Sequence, residues 1–150
     1  PGSIRDNIAY AGYKANRIFG PIISFKKEKA YVDKEIKDLS LKCASQYHMV
    51  NTLSGGNKQK VVFGKWIGAD SRILILDCPT RGIDIGVKAA MYQLIYKMKK
   101  EGRSILLISE ELPELIGMSD RILIMKDGQV VHETLRSENP TEHDLIEYMI

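Results

Sequence analysis

Leu53-Ser54-Gly55-Gly56-Asn57-Lys58-Gln59-Lys60, followed downstream by Arg72-Ile73-Leu74-Ile75-Leu76-Asp77-Cys78-Pro79-Thr80, is the pair of segments whose reading decides the fold. The first reads as a helix start. Two glycines after a serine let the backbone come close to an anion, where unpaired N–H groups and the helix dipole favour negative charge. The second reads as an apolar strand ending in a carboxylate, Asp77, the kind of position that holds Mg²⁺ in nucleotide-hydrolysing folds. The phosphate-cradling loop G-x-x-x-x-G-K-S/T occurs nowhere in the 150 residues. The pair therefore implies part of a nucleotide machine.

Upstream of this pair the chain reads as helical. Ser3-Ile4-Arg5-Asp6 fits a capping box, with Ile4 and Ile8 on one helical face. Gly20-Pro21 marks a break, after which Lys26 to Leu41 places Val32, Ile36 and Leu39 at the spacing of an amphipathic helix. A third helix is expected from Ser54 to Ile67, with Val62 and Trp66 on one side and Phe63 and Ile67 adjacent.

Downstream the period changes. Ile73 to Leu76 and Ser104 to Ile108 are continuous apolar runs bounded by turn residues, as expected of strands buried on both faces of a parallel sheet. Val87 to Lys100 reads as a helix between them, stopped at Glu101-Gly102, which gives a βαβ unit. A short helix at Leu112 to Gly117 and a strand at Arg121 to Met125 follow. Asp127-Gly128 then turns the chain into a hairpin strand, Gln129 to Glu133, and Asn139-Pro140 precedes a last helix carrying Leu145, Ile146 and Met149. The expected class is α/β, with residues 1–70 a helical subdomain and 71–150 a mostly parallel sheet with flanking helices.

Composition restricts the function classes. With 44% hydrophobic and 27% charged residues, the chain is globular rather than disordered. Its formal charge of +3 is spread out apart from Lys26-Lys27 and Lys97-Lys99-Lys100, so the bland reading of a solvated surface outweighs a nucleic-acid face. No apolar run reaches the roughly 20 residues that span a bilayer. The two cysteines, Cys43 and Cys78, have no metal-like spacing and suggest a reducing compartment.

With the elements placed, Leu53 to Lys60 resembles the signature motif of ATP-binding cassette (ABC) ATPases, and Ile73 to Asp77 resembles their Walker B strand. Thr80-Arg81-Gly82-Ile83-Asp84 is similar to the D-loop region. Gly117-Met118-Ser119-Asp120-Arg121-Ile122 and Lys126-Asp127-Gly128 resemble the tail of the same domain. Asn57, the Pro79-Thr80-Arg81-Gly82-Ile83-Asp84 run and Glu111-Leu112-Pro113-Glu114 most resemble the second cassette of sugar importers of the ribose, galactose and xylose type. Ser3 to Ile8 resembles the segment after the Q-loop, so the chain reads as starting partway into a cassette whose Walker A half lies upstream. A lone Ser-Gly-Gly is a common loop sequence, and an Asp at a strand end is often only a cap. Their coupling in the family's order carries the resemblance.

The resemblance implies a P-loop NTPase-like fold and a composite ATP site shared by two cassettes facing head to tail. Ser54 and the N–H groups of Gly55 and Gly56 would face the γ-phosphate of an ATP held by a partner cassette. Asn57, Gln59 and Asp84 complete the expected nucleotide-binding set, and Asp77 would help hold Mg²⁺. The family's catalytic glutamate position carries Cys78, whose thiol supplies neither the charge nor the two acceptor oxygens of a carboxylate. The switch-histidine position carries Glu110, which repels a γ-phosphate where histidine would donate. The chain alone is thus expected to be catalytically inactive. None of His48, His132 or His143 stands in a recognisable pairing with Cys78, and a small residue at a strand end is more often an apolar filler than a nucleophile.

The implied partners are a complete cassette and transmembrane permease subunits, with a periplasmic or extracellular sugar-binding protein reached through them. The implied location is the cytoplasmic face of the membrane. A rival reading is a catalytically inactive regulatory or interaction module that keeps the cassette's shape. Chromosome-maintenance and translation proteins share the signature, but Arg81-Gly82-Ile83-Asp84 lacks their Asn-containing loop and no coiled coil or basic arm is present. The three strands at Ile73, Ile105 and Ile122, expected to be parallel, would expose an edge and one apolar flank in isolation, from which self-association is expected.

Overall fold

The computed structural model describes residues 2–15, 24–67 and 71–150. The expected break at Gly20-Pro21 lies outside the described residues. The chain divides into two compact units, residues 1–74 with 80–104, and residues 75–79 with 105–150.

The first unit opens with α1 (Ile4–Ala15). Its capping box forms as the sequence predicts: Asp6 N donates to Ser3 Oγ at 3.1 Å and Ser3 N donates to Asp6 Oδ2 at 2.9 Å. These bonds, the side-chain one foremost, hold the Asp6 carboxyl below its ordinary range. The stability they contribute is present above the unfolded carboxylate pKa and is lost as pH falls through the lowered folded value. Ser3→Ala is expected to move the Asp6 titration upward, read by NMR across the acid range.

Helix α2 (Phe25–Asp38) is capped by Ser24 and stops three residues short of the periodic pattern. Ser40 takes a left-handed backbone (φ 47), and the N–H groups of Ser40 and Leu41 return to the carbonyls of Lys37 and Ile36. This is a Schellman stop without the usual glycine, so the apolar Leu39 and Leu41 continue the periodic pattern beyond the helix itself. Val32, Leu39 and Leu41 are buried. Glu35, also buried, has its carboxyl pushed up, chiefly by burial. A raised carboxylate binds more protons folded than unfolded, so stability falls as pH rises from the ordinary glutamate value through the raised one. Glu35→Gln is therefore expected to raise the urea midpoint at pH 7 by more than at pH 4.

Helix α3 (Gly55–Ile67) follows a single 3-10 turn at Val50–Thr52. It packs on α1 and buries Val61, Phe63 and Gly64; a Cβ at Gly64 would lie 2.6 Å from Cδ1 of Leu39, the residue that follows α2, and 3.5 Å from Ile8 Cγ1. The Val62 and Trp66 side of the helix is half exposed, and Lys65 Nζ lies 4.9 Å from the Trp66 ring centre.

Strands β1 (Ile73–Asp77) and β2 (Ser104–Ile108) flank α4 (Ile85–Lys100), whose stop at Gly102 (φ 85) is a second Schellman turn, this time with the glycine the sequence signals. Ser104 N donates to Arg72 O, and Cys78 N donates to Ile108 O, so β1 and β2 run parallel. The expectation of strands buried on both faces does not hold in the chain by itself. Leu74 and Leu76 point inward, but Ile73 and Ile75 of β1 are about two-thirds exposed, and Leu106 and Ile108 of β2 are about half exposed. Side chains alternate across a strand, so covering one face leaves every second residue on the other.

In the second unit, α5 (Leu112–Met118), β3 (Arg121–Lys126), β4 (Gln129–Leu135) and α6 (Glu142–Ile146) enclose a small core of Leu112, Ile122, Ile124 and Leu145. Asp127 (φ 51) and Gly128 (φ 77) both adopt positive φ, as a type I′ turn requires. This turn pairs β3 with β4 antiparallel, so the third apolar strand hydrogen-bonds in a hairpin and not in the parallel pair. The register shifts between Ile124 and Met125, and β4 continues two residues beyond the expected Glu133. Helix α6 starts at a Thr141–Asp144 capping box and buries only Leu145; Ile146 and Met149, expected on its apolar face, are exposed.

Candidate functional site

The serine and glycines singled out in the sequence sit at the mouth of α3. Its first intrahelical bond from this end runs from Lys58 N to Ser54 O at 2.9 Å, so the N–H groups of Gly55, Gly56 and Asn57 precede it and point out of the helix start. Ser54 and Gly55 are exposed, and a Cβ at Gly55 would meet nothing within 4 Å. An anion can approach that backbone without obstruction. Gly56 instead allows two helices to meet, since a Cβ there would lie 2.7 Å from both methyls of Val87 in the first turn of α4.

Asn57, expected to touch nucleotide, is held in a local network. Its Nδ2 donates to Ser54 Oγ at 3.0 Å, and its Oδ1 accepts from Lys42 N at 3.1 Å. Three residues on, Lys60 Nζ donates to Ser40 O at 3.0 Å. The α2–α3 loop is thus strapped to the first turns of α3. Gln59 lies half-buried on α3 between these contacts.

Asp84 is the N-cap of α4, its Oδ1 accepting from Val87 N at 3.0 Å. It fixes the residue that meets Gly56, and this pairing of the starts of α3 and α4 has no local sequence signal. The bracing roles of Lys42, Lys60 and Val87 were missed for the same reason: each acts across a loop or between helices, and each is an ordinary surface or helix residue in the sequence.

In the second unit, Asp77 ends β1 exposed, and the bond from Cys78 N to Ile108 O sets the C-terminal ends of β1 and β2 side by side. Asp77, Cys78 and Glu110 therefore stand at one end of the parallel pair, the end at which open α/β sheets bind ligands. Cys78 is partly buried and left-handed (φ 43), so it is a turn residue and not the fully buried filler expected at the strand end. Thr80 just beyond it is fully buried. Among the described residues no group of three or more His, Cys, Asp or Glu side chains is placed to hold a metal. A lone Asp77 carboxylate fits Mg²⁺, which keeps several waters and is shared between one or two carboxylates and phosphate oxygens.

A helical segment followed by a parallel βαβ unit is the arrangement found in ATP-binding cassettes of the P-loop NTPase fold, and solved structures share it. The chain is similar to a dimeric post-hydrolysis ATP-binding cassette bound to ADP and Pi (TM-score 0.72, 20% identity, 87% of this chain and 56% of the other). It is also similar to an inward-facing metal-chelate type ABC transporter described as putative (TM-score 0.79, 14% identity, 97% and 58%). No protein-family model matches the chain.

The curated relatives make the assignment narrower: the chain matches an ABC ATPase, and its homologues are sugar-import ATP-binding proteins. It is 44% identical over 140 residues to the ribose import ATP-binding protein RbsA of Oceanobacillus iheyensis, covering 93% of this chain and 28% of the relative. It is 40% identical over 136 residues to the arabinose import ATP-binding protein AraG of Vibrio parahaemolyticus, covering 91% and 27%. It is 44% identical over 126 residues to the galactose/methyl galactoside import ATP-binding protein MglA of Treponema pallidum, covering 84% and 25%. The chain thus spans about a quarter of the length of these relatives.

Proposed function

We propose that the chain is part of the nucleotide-binding subunit of an ABC sugar importer, contributing its signature motif to a composite ATP site. The observation that carries the proposal is the unobstructed start of α3, where Ser54 and the N–H groups of Gly55 and Gly56 offer donors to an anion. Similarity to the ribose, arabinose and galactose import proteins supports the transport class. In this reading residues 1–70 are the signature subdomain and residues 71–150 the Walker B half.

ATP in the complete assembly would supply the γ-phosphate those donors face, and Asp77 would help hold Mg²⁺, which would screen phosphate charge in the chain's own site. Ser54 and the two glycine amides bind and orient. Gln59 and Asp84 flank the same helix starts. Cys78 carries no carboxylate to polarise a water, and Glu110 places a negative group where a phosphate-facing donor is needed. In this reading the chain's own site does not hydrolyse, and its signature half completes the competent site of a partner.

Pairing of this chain with a complete cassette is expected to require MgATP, read as a fall in the dissociation constant when nucleotide is added. Pairing that ignores nucleotide would favour the rival, an interaction module that keeps the cassette's shape. In an assembly whose partner lacks its catalytic carboxylate, turnover is expected to drop to background. Robust MgATP hydrolysis there, in a complete cassette carrying Cys78, would sink the non-hydrolysing assignment.

The remaining partners in this reading are permease subunits and, through them, an extracytoplasmic sugar-binding protein, with the chain peripheral on the cytoplasmic face. No helix among the described residues is long and apolar enough to cross a membrane. Without a covering partner, the exposed Ile75, Leu106 and Ile108 face promotes self-association. Sedimentation velocity is expected to show species larger than a monomer at high concentration, and a Leu106→Lys variant is expected to shift them toward monomer.

A further inference from the structure

We infer that Asn57 is a positioning residue that sets the direction of the Ser54 hydroxyl proton, rather than a nucleotide contact in its own right. The inference rests on the reading that Ser54 faces a phosphate. A serine hydroxyl has one proton to donate and lone pairs to accept with, and the rotor turns to suit its neighbours. A phosphate offers only acceptor oxygens, so Ser54 is useful to it only as a donor. Asn57 Nδ2 donates to Ser54 Oγ at 3.0 Å, which occupies an acceptor lone pair and leaves the O–H to point away, toward the open helix mouth.

The polarity of that bond depends on which way the Asn57 carboxamide faces. Its Oδ1 accepts from the backbone N–H of Lys42 at 3.1 Å. A main-chain N–H is a donor only, so the oxygen must lie on the Lys42 side and the NH₂ on the Ser54 side. Lys42 itself is fixed by the stop of α2: Ser40 is left-handed, Leu41 N bonds Ile36 O, and Lys60 Nζ holds Ser40 O. A chain of defined donors therefore runs from the end of α2 through Asn57 to the serine. Both carboxamide groups are engaged in it.

The test pairs the chain with a complete cassette and reads the MgATP concentration that gives half-maximal pairing. Asn57→Leu, close in shape but without donor or acceptor, is expected to raise that concentration about tenfold, as loss of an oriented hydrogen bond to a charged group does. Asn57→Asp keeps an acceptor for Lys42 N but presents only acceptors to Ser54, capturing its proton, and guards against a folding failure of the first variant. Each is then repeated on Ser54→Ala. Any charge or packing effect acts in both backgrounds, so the ratio of the two effects isolates what passes through the serine. A ratio of about fivefold or more for both variants is the expected result. Equal effects in the two backgrounds would show that Asn57 is only a brace for the loop and overturn the inference. If Ser54→Ala by itself leaves the MgATP dependence unchanged, the signature reading fails, and the inference falls with it.

Discussion

Gly56→Val is expected to destabilise the chain by about 3 kcal/mol and to abolish MgATP-dependent pairing. The first added carbon alone would lie 2.7 Å from Val87 Cγ1 and Cγ2 and 3.1 Å from its Cβ. These are not the far ends of a flexible side chain: a helical valine has one strongly preferred χ1, so the methyls cannot swing aside. Overpacking of this kind costs roughly 1–3 kcal/mol for small additions, and a β-branched residue adds two more methyls to place. Gly56→Ala is the milder form, with the gain in helix propensity of about 1 kcal/mol offsetting part of the clash. Val87→Ala is expected to recover most of the stability lost in Gly56→Ala, because it removes the two methyls at 2.7 Å and leaves only the Val87 Cβ at 3.1 Å. Gly55→Ala is the contrast. Nothing lies within 4 Å of its Cβ, so the urea midpoint should hold or rise while pairing weakens. A Gly55→Ala variant that unfolds as readily as Gly56→Ala would refute the division of labour between the two glycines.

The sequence was most legible where local chemistry decides the backbone. The capping box at Ser3 and Asp6, the Asp127-Gly128 turn, the Gly102 stop and the bounds of β1 and β2 all follow from residues that determine their own conformation or from short apolar runs. It was least legible where a residue acts against its type. Ser40 ends α2 in a conformation normally given to glycine, so the stop carried no signal. Cys78, just past the strand end at Asp77, adopts the same left-handed region, which its residue type does not signal. The face of β1 and β2 that carries Ile75 and Leu106 is exposed because apolar runs show that two faces can be buried, not that both are.

The site divides in the same manner. The start of α3 at Ser54, Gly55 and Gly56 was readable because a serine and two glycines in sequence mark a helix start, but the packing of Gly56 on Val87 was not. Asn57 and Asp84 were picked out by their places in the motifs, but their hydrogen bonds run to Lys42, Ser54 and Val87. Val87 and Lys42 became relevant only once α3, α4 and the loop after α2 were placed in space. A spacing pattern records residues that share a ligand far better than residues that support one another.

Arg5→Met is expected to cost about 3 kcal/mol at neutral pH, because it strands a buried carboxylate. Arg5 Nε donates to Glu28 Oε1 at 2.7 Å, and the Tyr13 hydroxyl donates to the same oxygen at 3.1 Å. The Glu28 side chain is only 4% exposed, against 18% for Arg5, so the acid has almost no water to fall back on. Phe25 and Tyr47, both exposed, each bring a ring to 5.6 Å from the guanidinium and shield it further. Removing the acid as well, in Arg5→Met with Glu28→Leu, is expected to recover most of the loss, since a buried ion pair and an apolar pair of similar volume are often close in free energy. Urea unfolding of the two single variants and the double measures this directly, and additive losses would show that the charge pair is not the source. The effect should reach the signature. Arg5 N and Ile4 N donate to the carbonyls of Gln46 and His48, both at 2.9 Å, which ties the start of α1 to the loop that leads through Val50–Thr52 into Ser54. Loosening α1 removes one anchor of that loop while the Asn57 and Lys60 straps remain. MgATP-dependent pairing by Arg5→Met should therefore weaken less than by Gly56→Val, and recover in the double variant along with stability.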